Sequence, residues 1–517
     1  MQKKILAILA VAVVAIVAVA SIGLMNQGSS TSEKTLTVGE LWDITAVDPH
    51  AGDGTLMKEK ALVGECLVGS NDDFSLKPEL ATSWKNIDNN TWEFNLRQHV
   101  MFHNGKEMKA SDVKFSLERA CNLNPTAKSL LKLDHVEIVS DYVVRIHTTA
   151  PNSIAPAALE YSSFVILSTD SVSGDKFVKP IGTGPFEMES YDNLTHQMTM
   201  VKNSDWWGGA VNFDKLIIKP ITDPNTRALA IENHEVDFTA DVPLSEINTI
   251  DALPGINVEK HVTPRVYRLA FNLDKDPWNN ITVRHAIAYS INSKSIVDNA
   301  LSGVGSPAKG IFLPDMAWAN KSLTGYQYDA NKAKALFAEA GFAYENGKLV
   351  NQTSHKQLSI SILTYTDRPG LPLIAEALAG QLKDMGIDVT YDAKEYSAYT
   401  AQSKERQWDL DIMARALTMV PDPAYVFGDY LPGGSLNAMN YSNPEVVDLY
   451  NKMTAEWNIT ARYNYSQQIE GLLYNDAPAI YISYYGVAMV MYDYVTGFHF
   501  DPTAHDYRLN PDMKVQK

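Results

Sequence analysis

Twelve histidines, two cysteines and 61 carboxylates are the side chains from which this 517-residue chain would build a reaction centre or a metal site. A zinc hydrolase of the metalloprotease kind needs two histidines on one helix face with a glutamate beside the first, and no HExxH occurs. The nucleophile elbow GxSxG is also absent, and GFAYENGKL at Gly341 lacks the spacing and the hydroxyl of a phosphate-cradling loop. Cys66 and Cys121 form neither a CxxC pair nor a zinc-ligand cluster. They read as two small buried side chains, with a single bridge as the alternative. Carboxylates can meet in three dimensions from anywhere in a sequence, so an exported hydrolase with an acid/base pair is the enzymatic alternative.

The elements that would position such groups alternate along the chain. Segments such as TWEFNL, YVVRIHT, KLIIKPI and LSISIL have strand character, and SDVKFSLERAC, VRHAIAYSINSKSIVDNAL and NKAKALFAEAG have helical periodicity. A mixed α/β fold follows. One helix is expected over Val283–Leu301, with Ile287, Ile291 and Val297 on its apolar stripe. A second follows Asp329 as N-cap and ends before Gly341. His103, Asn104 and Gly105 read as a hairpin turn, Gly182 and Gly184 as positions of special backbone geometry, and Trp206 and Trp207 as packing aromatics. No fixed-period repeat, heptad run or low-complexity tract appears, which removes solenoids and propellers.

With 45% hydrophobic and 20% charged residues the chain has the composition of a folded protein of several domains. Its net charge of -17 repels phosphate backbones, so nucleic acid is not expected as a partner. MQKK precedes an uncharged run from Ile5 to Met25, longer than the roughly 7–15 residues of a usual signal core and close to the ~20 that span a bilayer. This predicts export, with the segment either cleaved or kept as a membrane anchor and the rest of the chain outside the cytoplasmic membrane, periplasmic or at the cell surface. Asn26–Lys34 reads as a tether, and the folded part is expected to begin near Thr35.

NLRQHVMFHNGKEMKASDVKFSLERA at Asn95 resembles the LRxGVxFHDGxPxxAxDVxFSxxR signature of the family-5 extracytoplasmic solute-binding proteins, the peptide, nickel and opine group. The resemblance continues through PIGTGPFEMESY at Pro180, NSDWWGG at Asn203, DPNTRALAIENHEVDF at Asp223, the long stretch from Phe271, and DMGIDVTY at Asp384. It implies a large α/β, two-lobed fold of the periplasmic-binding-protein kind (cluster C) with an additional subdomain. The implied division is a signal or anchor and tether at 1–34, lobe I at 35–268 with the subdomain at about 68–180, lobe II at 269–483, and a C-terminal return to lobe I at 484–517. Crossings between lobes are expected near Arg268–Asn272 and Tyr481–Tyr485. The implied function is capture of a small solute by lobe closure for an ABC importer, without catalysis. The permease and ATPase subunits are its partners, no cofactor is expected, and the protein is expected to be a monomer.

Within that family, VDPH at Val47, TYTDRPGLPLIAEAL at Thr364 and SKSIVDNALSG at Ser293 most resemble the nickel and metallophore binders. The expected cargo is nickel or a metal chelate, with an oligopeptide or dipeptide as the alternative. Peptide-binding members carry a carboxylate three residues before an acid-Pro pair; here Asp422-Pro423 is present and Met419 holds the carboxylate position. Nickel-binding members have an arginine, then an aromatic two residues on, then a histidine in the following loop. Arg415 matches, Leu417 replaces the aromatic, and LPGGSLNAMNYS has no histidine. The candidate ligand-binding residues are therefore Met57, Arg415, Met419, Asp422 and Tyr441. Arg415 is expected to pair with a ligand carboxylate and the two methionines to offer soft or apolar contacts. Asp422 is expected to orient its loop; Tyr441 would hydrogen-bond ligand or pack between the lobes. The direct metal ligands stay unassigned.

Overall fold

The computed structural model describes residues 33–434 and 436–517, so the segment Ile5–Met25 lies outside the described residues. Among the described residues no helix is long and apolar enough to cross a membrane.

The chain opens with β1 (Thr35–Glu40) and then leaves it to build a separate antiparallel sheet from β2 (Ala81–Asp88), β3 (Thr91–Leu96), β4 (Leu133–Ser140) and β5 (Val143–Thr148), in the order β2-β3-β5-β4. Helix α1 (Ala110–Leu123) buries Val113, Leu117, Ala120 and Cys121 against it. Together they form a second core running from Leu67 to Ile181, joined by one distant residue, Val420. Cys66 and Cys121 are both buried and free, and burial pushes each thiol up to about 12.

The signature motif earns its form here. His103 and Asn104 sit in a turn closed by Gly105 at φ 77°, the left-handed region that glycine adopts without a Cβ clash. The His103 ring meets the Gly184 carbonyl at 3.0 Å and the Gly182 amide at 3.3 Å. A Cβ on Gly182 or Gly184 would stand 2.1 Å from Val63 O or 2.2 Å from Leu62 O, so close backbone approach is what these glycines permit.

The chain then returns to the main sheet with β6 (Phe186–Tyr191), β7 (Met198–Lys202), β8 (Lys215–Pro220) and β9 (Phe238–Ala240). The long β10 (Ile256–Phe271) follows, then helix α2 (Ile281–Ser290), β11 (Gly305–Pro307), helix α3 (Ala330–Glu339), β12 (Ser359–Tyr365), helix α4 (Gly370–Asp384), β13 (Asp388–Lys394) and β14 (Leu410–Ala416). The short helix α5 (Pro423–Phe427), helix α6 (Ile459–Asp476) and the long β15 (Ala479–Tyr492) complete the framework. The order is β6-β7-β8-β1-β9-β15-β10-β14-β12-β13, with β11 paired to β15. Parallel pairs such as β1/β8 and β12/β13 stand beside antiparallel ones, which makes the α/β architecture mixed.

Two strands carry the sheet from one half to the other. The first part of β10, Ile256–Val262, pairs with Gly486–Tyr492 of β15, beside β9. The second part, Arg265–Phe271, pairs with Leu410–Ala416 of β14. The register against β15 shifts between Val262 and Val266, after which β10 stays paired with Ala479–Tyr484 of β15 and gains β14 on its other edge. Arg268–Asn272, the expected first crossing, already lies along β14 and its flank. At the matching point of β15 a Cβ on Gly486 would meet Gly305 N at 2.2 Å, so glycine lets β11 pack against the strand there. The C-terminal tail returns to the first half: Phe238 packs on Phe498 and Tyr507, and Leu509 N donates to Glu59 O.

The helix expected over Val283–Leu301 is broken. Asn292 accepts from the Ser295 amide at 2.9 Å while its own amide donates to Gln381 of α4, which restarts the chain in a new direction. Asp329 caps α3 through the Asn331 and Lys332 amides, as expected.

Candidate functional site

A cavity of about 220 Å3 opens where the first half meets the second. The turn after β1 supplies Glu40, Trp42 and Ile44, the segment at Thr55–Lys60 supplies Leu56 and Lys60, the loop after β14 supplies Met419, and the C-terminal tail supplies His505 and Asp506. A smaller chamber shares Thr55, Met419 and His505 with it and is walled by charges, Lys58 standing 3.9 Å from Glu160.

Its electrostatics turn on Asp506. Arg265, where β10 gains β14, places Nη1 2.7 Å from Asp506 Oδ1, and Arg368, just after β12, places Nη1 2.8 Å from the same oxygen. The Trp42 indole N–H donates to Oδ2 at 3.3 Å. Burial alone would raise this carboxyl, but Arg368 and Arg265 hold it well below the usual carboxylate range. Arg368 also reaches Asp241 at 3.2 Å, a carboxylate that accepts from the Tyr485 hydroxyl at 2.8 Å. The Arg368 guanidinium lies 5.0 Å from the Trp42 ring centre and 5.4 Å from that of Tyr485, so aromatic faces and carboxylates enclose it together.

His505 sits beside this cluster, its ring 3.2 Å from Arg265 Nη2 and its amide donating to Glu59 at 3.0 Å. Burial first, and then Arg265 and Arg368, push its pKa down to about 3. The imidazole is neutral at physiological pH, and its side chain keeps 24% exposure. Lys60 and Glu40, both buried, are driven by burial toward their neutral forms. The Tyr507 hydroxyl donates to Glu40 at 2.6 Å.

Of the sequence-derived candidates, Met419 lines the cavity. Its sulfur accepts from the Tyr425 hydroxyl at 3.2 Å, and Val420 beside it is fully buried in the subdomain core. Arg415 takes a different place from the one expected. Its Nη2 meets Asp429 at 3.1 Å, its Nε meets the other Asp429 oxygen, and its Nη1 donates to Ala416 O and the Tyr425 hydroxyl. With those donors engaged it holds Tyr425, and through it Met419. Met57 is fully buried in the main core, pointing away from the cavity that its neighbour Leu56 lines. Tyr441 donates to Asp476 at the end of α6 and does not line the cavity. Asp422 caps α5 through the Ala424 amide at 2.9 Å and pairs with Arg462.

Trp206 and Trp207 both donate to Glu65, at 3.0 and 2.8 Å, which fixes them as packing residues. The cavity residues that sequence reasoning passed over are Trp42, His505 and Asp506, with Arg265 and Arg368 behind them as the partners of Asp506. Their one sequence signal was charge set among apolar neighbours, as in VTPRVYRLAF around Arg265.

Residues 75–437 match the family described as Bacterial extracellular solute-binding proteins, family 5 Middle. The chain belongs to this family. Like other family-5 proteins it is the solute-binding component of an ABC importer, a class that binds small ligands outside the cytoplasm and works with permease and ATPase subunits. It is 28% identical to the nickel-binding periplasmic protein of Escherichia coli K12 over 71% of this chain and 72% of that one. It is 26% identical to the glutathione-binding protein GsiB of Pectobacterium atrosepticum over 92% of each. Among solved structures, a nickel ABC transporter protein from Bacillus halodurans superposes with a TM-score of 0.79 at 27% identity, covering 93% of this chain and all of that one. The two-lobed fold of family-5 proteins is thus the frame in which the cavity sits.

Among the described residues no group of three His, Cys, Asp or Glu side chains could hold a metal ion. The donors in the cavity are one thioether, one neutral imidazole and three carboxylates, of which Asp506 is held by two arginines, Glu40 by the Tyr507 hydroxyl and Asp43 by His196.

Proposed function

We propose that the cleft captures a compact transition-metal complex, nickel already wrapped in a small chelator, and that closing the two lobes over it presents the protein to its importer. The observation that carries this reading is the pairing of Met419 and a neutral His505 on one cavity of about 220 Å3. Imidazole and thioether suit late first-row metals, while the chelator would supply the remaining ligands. The nickel-binding relative in Escherichia coli favours nickel as the ion. The cavity is smaller than the ~300–1,000 Å3 of sites that envelop drug-sized ligands, which favours a compact solute over a long peptide.

The second reading is a dipeptide or a glutathione-like peptide, supported by the glutathione-binding relative matched along 92% of its length. Against it, a peptide's amino terminus needs a carboxylate partner in a buried cleft. Asp506 is taken by two arginines and a tryptophan, and Met419 offers no charge.

Capture by closure leaves no role for turnover, so the protein acts as a binder and not as an enzyme. We further propose that it works as a monomer, that the lobes divide where β10 gains β14 and β15 passes from β11 to β9, and that Ile5–Met25 directs export as a signal or an anchor.

Calorimetry with nickel premixed with excess free histidine, run beside reduced glutathione and a dipeptide, tests the cargo. The expected result is one complex bound per chain, weakened about tenfold or more by His505→Ala, the loss of one ligating or charge-assisted contact. Tight binding of glutathione or dipeptide with none of the nickel complex would establish the second reading instead.

A further inference from the structure

A cavity of about 310 Å3 lies at a different place, where the subdomain side of the first lobe faces the second. It shares no lining residue with the solute cavity. One wall carries Phe74, Trp84 and Trp92; the other carries Trp457, Arg462 and Tyr463 from around the start of α6. The rings of Trp92 and Trp457 approach to 5.5 Å across it, and the Trp92 indole N–H is tied to Asn152 O at 3.0 Å. Arg462 is only 2% exposed; it donates to Ser153 and to Asp422, and its Nε has no partner among the described residues.

We propose that this cavity is a second small-molecule site, taking a flat neutral aromatic whose binding favours the closed arrangement and so tightens solute capture. Five aromatic side chains offer faces and edges to a planar guest. The two charges on the walls cancel in the Arg462–Asp422 pair, so the site has no net charge with which to select an ion. Its volume falls at the small end of ligand pockets, enough for a one- or two-ring molecule.

The coupling follows from where the walls come from. A guest that touches both lobes binds their closed arrangement better than an open one, and a ligand shifts a conformational equilibrium by that difference. Solute does the same from the other cavity, so each should strengthen the other reciprocally. One loop connects the two: Met419 lines the solute cleft, Val420 is buried in the subdomain core, and Asp422 lines the aromatic cavity. This coupling rests on the closure reading above, whereas occupation of the site does not.

Indole is the probe. Saturation-transfer NMR on the full chain should show saturable binding, and small-angle scattering with indole alone, without solute, should show a smaller radius of gyration. Saturating indole should lower the dissociation constant for nickel–histidine by about fivefold or more. Trp457→Leu, which removes a wall, and Ile459→Trp, at an exposed helix start lining the cavity, should each abolish all indole effects, the latter while leaving solute affinity without indole unchanged. Absence of saturable indole binding, or binding that survives both variants, would overturn the site. Indole binding that leaves the radius of gyration and solute affinity unmoved would overturn the coupling. If nickel–histidine itself fails to bind, the NMR and scattering results still decide the inference, and the cargo reading fails separately.

Discussion

Arg368 Nη1 lies 2.8 Å from Asp506 Oδ1, joining a loop of the second lobe to the C-terminal tail that packs on the first. Both side chains are nearly fully buried, and the same oxygen meets Arg265, where β10 gains β14. A pair so buried adds little against an apolar substitute, yet removing one member leaves the other desolvated and alone. Because this pair bridges the lobes, the loss should fall on the closed arrangement.

Arg368→Ala should therefore weaken solute binding by about tenfold to a hundredfold. That corresponds to roughly 1.4–3 kcal/mol, below the full cost of stranding a buried charge because Arg265 still neutralises Asp506. Calorimetry reads the affinity, and scattering should show a larger radius of gyration for the variant with solute present. Unchanged values of both would remove Arg368 from closure.

His505 sets the pH behaviour. Its pKa in the folded protein, about 3, lies below the ordinary 6.5, so the unfolded chain takes up the proton first as pH falls. The stability it contributes is present above 6.5 and is lost as pH falls from there toward 3. In the same window the folded imidazole remains neutral and able to ligate. Affinity for the nickel complex, corrected for the chelator's own protonation, should stay flat from pH 7.5 to 5.5. An ordinary histidine would lose about tenfold of its neutral form over that range. A falling affinity with an inflection near 6.5 would contradict the neutral imidazole.

Arg415 is predicted to matter for stability. Arg415→Ala leaves Asp429, only 4% exposed, with Arg268 at 3.6 Å as its remaining cation, and should lower unfolding free energy by about 1.5–3 kcal/mol in urea titrations, the loss of charge-assisted hydrogen bonds. Arg415→Lys, which keeps a cation beside Asp429, should recover part of that stability, and solute binding with it. A stable Arg415→Lys variant that has lost affinity would return Arg415 to direct contact with the solute.

The sequence by itself determined the local pieces. The Asp329 cap, the His103–Gly105 turn and the close-approach glycines Gly182 and Gly184 each depend on neighbours a few residues away or on a backbone rule, so residue type suffices. The family signature is built from such positions, which is why the two-lobed α/β frame was legible. Met419 was legible because its loop is local to β14. The tertiary structure alone decided the rest of the cleft. Trp42, Arg265, Arg368 and the pair His505–Asp506 come from four distant segments, and only the sheet order β9-β15-β10-β14-β12 brings them together. For Arg415 the deciding matter was partnership: a guanidinium has the same donors whether it faces a solute or Asp429. Which acceptor it finds depends on how a loop packs some fourteen residues further along, a long-range contact that no local pattern encodes.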